Sequence, residues 1–197
     1  HFADSNFSVK TITGTMTGLD NREVRVRAAV APANMIYFVD AGTEGESGGA
    51  FYQMAKDGGK LRNSGTADQP YSKEKKWGYA GANTTQRTLD SEDLYERLRY
   101  VNDSENRTLT YRFDGLESGD YSVYLGFYDP TGWYKEGQRV AMVTLRQNDK
   151  VLKSGETVCG GKGSGQITEY SGLTLANTGD LQITLTPKNT GEGSDMQ

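Results

Sequence analysis

Gly119-Asp120-Tyr121-Ser122-Val123-Tyr124-Leu125-Gly126-Phe127-Tyr128-Asp129-Pro130 is the stretch that decides the fold of this chain. Tyr121, Val123, Leu125 and Phe127 alternate with Ser122, Tyr124, Gly126 and Tyr128. That period of two is the mark of a strand with one buried face, so the first four side chains are expected to point into a core. Asp129-Pro130 and then Gly132 end the strand with turn residues. A second strand, Val140-Ala141-Met142-Val143-Thr144-Leu145, then returns. Between them stand Trp133 and Tyr134, two large rings that neither alternating pattern requires. A strand, an aromatic-tipped loop and a strand offer flat apolar faces to a flat polar ligand such as a sugar.

The same reading extends in both directions. Leu109, Tyr111 and Phe113 alternate before the Asp114-Gly115 turn, and Leu181, Ile183 and Leu185 alternate before Pro187. Residues 167–175 read as a weaker strand. Met35-Ile36-Tyr37-Phe38-Val39 reads as a short continuous apolar strand ending at Asp40-Ala41-Gly42. Leu94, Tyr95, Leu98 and Arg99 have spacing that suits either a helical turn or an irregular strand. Residues 23–30 alternate Val24, Val26, Ala28 and Val30 against Arg22, Arg25 and Arg27, which predicts a hairpin with one charged face. Residues 1–33 are therefore a lead-in hairpin or the end of a preceding domain, residues 34–188 the main domain, and residues 189–197 a flexible tail. From 43 to 82 the chain is mostly Gly, Lys, Ser and Asp with scattered aromatics, and connections that long are often functional. Many short strands, little helix and Gly-rich connections predict an all-β antiparallel sandwich.

Composition narrows the function classes. The 197 residues carry a net charge of −4, with 25 Gly, 12 Tyr and 2 Trp. No basic footprint for nucleic acid is present. The cluster at 73–76 is short, contains Glu74 and reads as a solvated loop. Cys159 is the single cysteine, which precludes an internal disulfide, and it reads as a dispensable small residue near a turn. His1 is the single histidine, which argues against a histidine-based metal or acid–base site. No apolar run reaches the length of a membrane span.

Four segments together resemble a known family. They are Tyr37-Phe38-Val39-Asp40-Ala41-Gly42, Trp77-Gly78-Tyr79, Asp93-Leu94-Tyr95-Glu96-Arg97-Leu98-Arg99-Tyr100, and Gly119 through Phe127. In this order they resemble malectin and malectin-like carbohydrate-binding domains over about residues 35–187. The resemblance implies a galactose-binding-like jelly roll of two antiparallel sheets. It also implies a module appended to a bacterial glycoside hydrolase. The chain departs from the family where Tyr128-Asp129-Pro130 follows the Phe127 strand, and in the insertion at 43–76.

Trp133 and Tyr134 are the leading candidates for stacking on a sugar face. Trp77 and Tyr79 either line the same cleft or, for Trp77, plug the core. Tyr95 and Arg97 lie in the family-like segment, where an arginine donates paired hydrogen bonds to vicinal hydroxyls or a carboxylate, or pairs with Glu92, Asp93 or Glu96. Asp129 is placed either to accept hydrogen bonds from a sugar or to start its turn. Asp40, near Glu44 and Glu46, is a candidate ligand for a structural Ca²⁺. Asn6, Asn83, Asn102 and Asn106 begin glycosylation sequons.

No motif singles out a catalytic carboxylate pair or a nucleophile with its base. The expected function is a noncatalytic carbohydrate-binding module within a larger secreted or cell-surface bacterial protein, with glycans and neighbouring domains as its partners. Two rivals are a structural spacer or interdomain interaction domain of a multidomain glycoside hydrolase, and a hydrolase fragment.

Overall fold

A computed structural model describes residues 9–15, 23–29, 34–42, 56–57, 60–63, 67–80, 84–88, 97–101, 107–127, 135, 137–159 and 166–188. Eleven strands lie among them: β1 Val9–Thr15, β2 Glu23–Ala29, β3 Trp77–Ala80, β4 Thr84–Thr88, β5 Arg97–Val101, β6 Leu109–Leu116, β7 Gly119–Phe127, β8 Val140–Gln147, β9 Lys150–Val158, β10 Gln166–Leu175 and β11 Gly179–Pro187. Of the described residues, Lys56 and Asp57 alone are helical. No described helix is long and apolar enough to cross a membrane. The fold is nearly all β, and every strand ladder is antiparallel.

β11 organises the larger sheet. Its Leu181, Ile183 and Leu185 share one face by strand periodicity, and it is paired on both sides within the order β3-β6-β11-β8-β9. Register places Leu185 between Leu109 and Val143, and Ile183 between Tyr111 and Leu145. Ala141, Val143 and Leu145 of β8 are wholly buried. Full burial of a Val, Leu or Ile side chain contributes about 1.5–3 kcal/mol.

A second pair, β10 with β7, contributes Phe127, Tyr170, Leu173 and Leu175 to the same apolar cluster. On β7 the alternation follows the sequence with one exception. Phe127 is buried, and Tyr121, Val123 and Leu125 are half-buried against the core, while Ser122 and Gly126 are exposed. Tyr124, on the outer face, is also half-buried and donates its hydroxyl hydrogen to Glu169 Oε1 at 3.1 Å. β10 also meets β9. The Tyr170 ring covers Gly155, where an added Cβ would lie 2.9 Å from Cε1. The hydroxyls of Thr157 and Thr168 are hydrogen-bonded at 2.6 Å. Cys159, 1% exposed, belongs to the same cluster and packs there as a small apolar residue.

Three sequence readings change. The strand at 140–145 does return after β7, but into a different sheet: β7 pairs with β10, and β8 pairs with β11 and β9. Alternation identifies a buried face and says nothing about the ladder partner. Residues 35–39 are extended but form no ladder. A loop takes the neighbouring strand's place: Arg62 N–H donates to the Ile36 carbonyl at 2.8 Å. The Asn63 amide both accepts from Phe38 N–H and donates to Phe38 C=O. The segment around Leu98 and Arg99, open between helix and strand, is β5. The expected tail at 189–197 lies outside the described residues.

Beyond β3, residues 69–71 cover the sheet edge. Tyr71 N–H donates to Tyr79 C=O and Tyr79 N–H donates to Gln69 C=O, both at 2.8 Å. Pro70 sits at the parallel bridge to Tyr79, an edge position that needs no donor. This approach requires glycine at position 78. Its φ is +144°, and a Cβ would fall 2.6 Å from Tyr71 N, 2.7 Å from Pro70 C and closer still to the Gln69 oxygen. Gly172, at φ +68°, has nothing within 4 Å of that position. Gly78→Ala is therefore expected to cost about 3 kcal/mol, lowering Tm by about 6–12 °C in a chain of this length. Gly172→Ala should cost about 1 kcal/mol. Thermal melts of the two variants side by side check this, and equal losses would contradict the backbone-approach argument.

Candidate functional site

Of the described candidates, Trp77 and Tyr79 lie on β3, and Tyr79 adjoins a group that the sequence did not nominate. Tyr79 and Tyr111 are cross-strand partners, and their rings meet edge to face with centroids 6.4 Å apart. From β5, the Arg99 guanidinium lies over the Tyr79 ring, its Cζ 3.7 Å from the centroid. Arg99 grips Asp68 with two hydrogen bonds, Nε to Oδ2 and Nη2 to Oδ1, the latter at 2.8 Å. The two side chains are 4% and 0% exposed. Tyr111 donates its hydroxyl hydrogen to the same Asp68 Oδ2 at 2.7 Å.

This geometry makes a clamp. Asp68 comes from the segment that leads to the sheet edge, Arg99 from the β4–β5 pair and Tyr111 from the five-stranded sheet. One buried carboxylate therefore holds three separate segments. Burial alone would lower the Arg99 pKa, but the hydrogen bonds and charge of Asp68 outweigh it and leave it raised. Burial first, then the charge and hydrogen bond of Asp68, push the Tyr111 phenol well above its ordinary value. At neutral pH the phenol keeps its proton and Arg99 keeps its charge. The group stabilises an arrangement and is poorly suited to exchanging protons.

The aromatic candidates separate. Of the two places open to Trp77, the structure occupies the core one. Trp77 is 8% exposed, stacks parallel to Phe113 at 6.4 Å and meets Tyr37 at 5.9 Å. Tyr79 remains half-buried, with one ring face under Arg99. Arg97 is the first residue of β5, opposite Thr88. Trp133, Tyr134, Asp129 and Tyr95 lie outside the described residues, as do the four sequon asparagines.

The arm that follows the Trp133 loop is pinned in place. Gln138 Oε1 accepts from Lys135 N–H at 2.6 Å. Gly137, at φ +81°, donates its N–H to Cys159 C=O, and Cys159 N–H donates to Arg139 C=O. The strands on either side of that segment belong to different sheets, β7 with β10 and β8 within the five-stranded sheet.

Asp40 is 4% exposed and bridges to Ala67. No group of three or more His, Cys, Asp or Glu residues that could hold a metal is present among the described residues, and Glu44 and Glu46 lie outside them. Sequence reasoning did not single out Asp68, Arg99 or Tyr111. Asp68 stands in a polar loop resembling its neighbours, and nothing local distinguishes Arg99 from Arg97. No family model matches this chain, and no curated protein matches it either.

Two predictions follow from the clamp. Asp68→Ala or Arg99→Ala alone leaves a buried charge unpaired and should cost about 3–5 kcal/mol, whereas Asp68→Ala with Arg99→Ala should cost less than the sum of the two. Urea denaturation of all three variants measures the coupling, and strict additivity would show that the pair does not act as a unit. The second concerns alkali. Because the folded Tyr111 pKa is raised above the ordinary value of 10.0, its contribution is fully present below that pH and is lost as pH rises through the folded value. Each proton so retained steepens the loss by about 1.4 kcal/mol per pH unit. Tyr111→Phe should lower stability at neutral pH by about 1–3 kcal/mol, through the lost hydrogen bond to buried Asp68, and flatten the fall above about pH 10. An unchanged alkaline slope would show that another group controls it.

Proposed function

We propose that this chain is a noncatalytic carbohydrate-binding module of a larger secreted or cell-surface glycan-active protein, with a galactose-binding-like jelly-roll sandwich similar to malectin-like domains. The observation that carries the reading is which strands flank the segment 128–139. β7 before it pairs with β10 and β8 after it belongs to the five-stranded sheet, and the sequence between them carries Trp133 and Tyr134, while the inward faces of both strands are already filled by their own alternating residues. Phe127 and Ala141 are buried on either side of it. The other tryptophan, Trp77, is a core residue, which leaves Trp133 as the indole for a sugar face. An aromatic ring with two χ angles stacks on sugar C–H groups at low entropic cost. Two buried carboxylates are engaged structurally: Asp68 with Arg99 and Tyr111, and Asp180 with Gln182 and Arg112. That supports a binding role over a catalytic one.

Trp133→Ala should weaken glycan affinity by about 1–3 kcal/mol and leave the melting temperature nearly unchanged. Calorimetric titration against a panel of neutral and acidic glycans, with a melting curve on the same variant, makes the measurement. A variant that loses about 3–5 kcal/mol of stability while its folded fraction binds normally would overturn the assignment of the ring to ligand.

A further inference from the structure

Between residues 56 and 76 the chain carries six Lys or Arg against three Asp or Glu, in a protein whose net charge is −4. One of those acids, Asp68, is matched internally by Arg99. The sequence alone makes 73–76 a solvated loop, but the fold brings a further cation to it. Arg62 Nη1 donates to Gly115 C=O at 2.7 Å. Asp114 N–H donates to Lys76 C=O at 2.7 Å. Two adjacent residues near the end of β6 therefore bond both the Arg62 guanidinium and the Lys76 backbone. Lys73, Lys75 and Lys76 are set by a turn in which Lys76 N–H donates to Ser72 C=O at 2.8 Å, and Lys75 N–H donates to Ser72 Oγ at 3.1 Å. All four cations are exposed.

The acids nearby differ in what they leave uncompensated. Asp114 accepts from Arg112 Nε at 2.6 Å and from Tyr71 Oη at 2.5 Å, and Asp180 accepts from Gln182 and lies 3.4 Å from Arg112. Glu74 and Glu117 remain beside the rim, against Arg62, Lys73, Lys75 and Lys76. The balance is positive in a chain that is acidic as a whole. Such a patch attracts anions through solvent, and the attraction weakens as salt shortens the Debye length to about 10 Å at 0.1 M.

We infer that this rim is a second recognition surface for a glycan bearing carboxylates, so that the ligand class of the module is acidic polysaccharide. The inference rests on the carbohydrate-binding reading and adds the charge of the ligand to it. Exposed ammonium and guanidinium groups recognise carboxylates spaced along a chain by charge and hydrogen bonding. No single enclosed pocket is needed.

The test uses the whole 197-residue chain with polygalacturonate, a neutral glucan and a DNA duplex as probes, each at low and at physiological salt. The variant combines Lys73→Gln, Lys75→Gln and Lys76→Gly. Lys76 has a φ of +61°, so glycine removes its charge and relieves the backbone at once, and the variant should fold at least as well. Arg62 is left in place because its hydrogen bond to Gly115 C=O holds the end of β6. The expected result is polyuronate binding that falls with salt and is roughly tenfold weaker in the variant, with an unchanged melt. Wild-type affinity in the variant, salt-insensitive binding, or equal binding to DNA would overturn the inference. Neutral glucan bound without polyuronate would overturn it and leave the carbohydrate reading standing. Failure to bind either polysaccharide would remove both.

Discussion

The structure depends on the register of a single strand. β11 is paired on both sides, so one choice of alignment sets which residues of β6 and β8 share its inward face. A slip by one residue would turn Leu181, Ile183 and Leu185 outward and bring Gln182 and Thr184 into the core. The cross-strand rows Leu109–Leu185–Val143 and Tyr111–Ile183–Leu145 make such a slip expensive. β9 and β3 then extend the sheet at its two ends, and each end is finished differently. β9 meets β10 through Gly155, Tyr170 and the Thr157–Thr168 hydrogen bond. β3 is covered by residues 69–71 across Gly78.

Beside that second end, polar and apolar packing divide the work. The rings of Tyr37, Trp77 and Phe113 fill the core, while Asp68, Arg99 and Tyr111 bind three segments by charge and hydrogen bonds. The polar group is held together more by its mutual satisfaction than by burial, because each partner removed would strand another in a dry site. Residues 60–63 and 67–76 are held there by backbone bonds to β3 and by side-chain anchors at Asn63 and Asp68. Asp68 is buried, while Arg62, Lys73, Lys75 and Lys76 face water along the same segment. One stretch of chain thus closes the sheet edge and carries a positive rim.

The proposed binding features sit on the connections. Where the chain enters β8, Gly137 and Arg139 are tied to the backbone of Cys159. Under the carbohydrate-binding proposal, that anchoring fixes one end of the segment that carries Trp133, and a stacking site needs such a fixed end. The basic rim lies on different segments, 62 and 73–76 beside the end of β6. The two proposals rest on different physics, ring stacking in one case and charge in the other, and predict different responses to salt.

The strands β6, β7, β8 and β11 were legible from sequence because each is half-buried, and burial of one face imprints a period of two. β9 was not, because its pattern is broken by Lys153, Ser154 and Gly155, and Gly155 is there to receive the Tyr170 ring from another strand. Residues 35–39 read as a strand because they are apolar, yet their backbone is satisfied by Arg62 and Asn63, a pairing invisible without the loop in place. Trp77 could be nominated for a site or for the core from its sequence neighbours; Phe113 lying opposite decided it. The clamp left no local signature, since Asp68 and Arg99 are 31 residues apart and each resembles an ordinary surface charge. Sequence determined which segments are strands with a buried face, because that information is local and periodic. Tertiary structure alone decided which strands pair, which charges are buried and which cations converge, because those depend on contacts between residues distant in the chain.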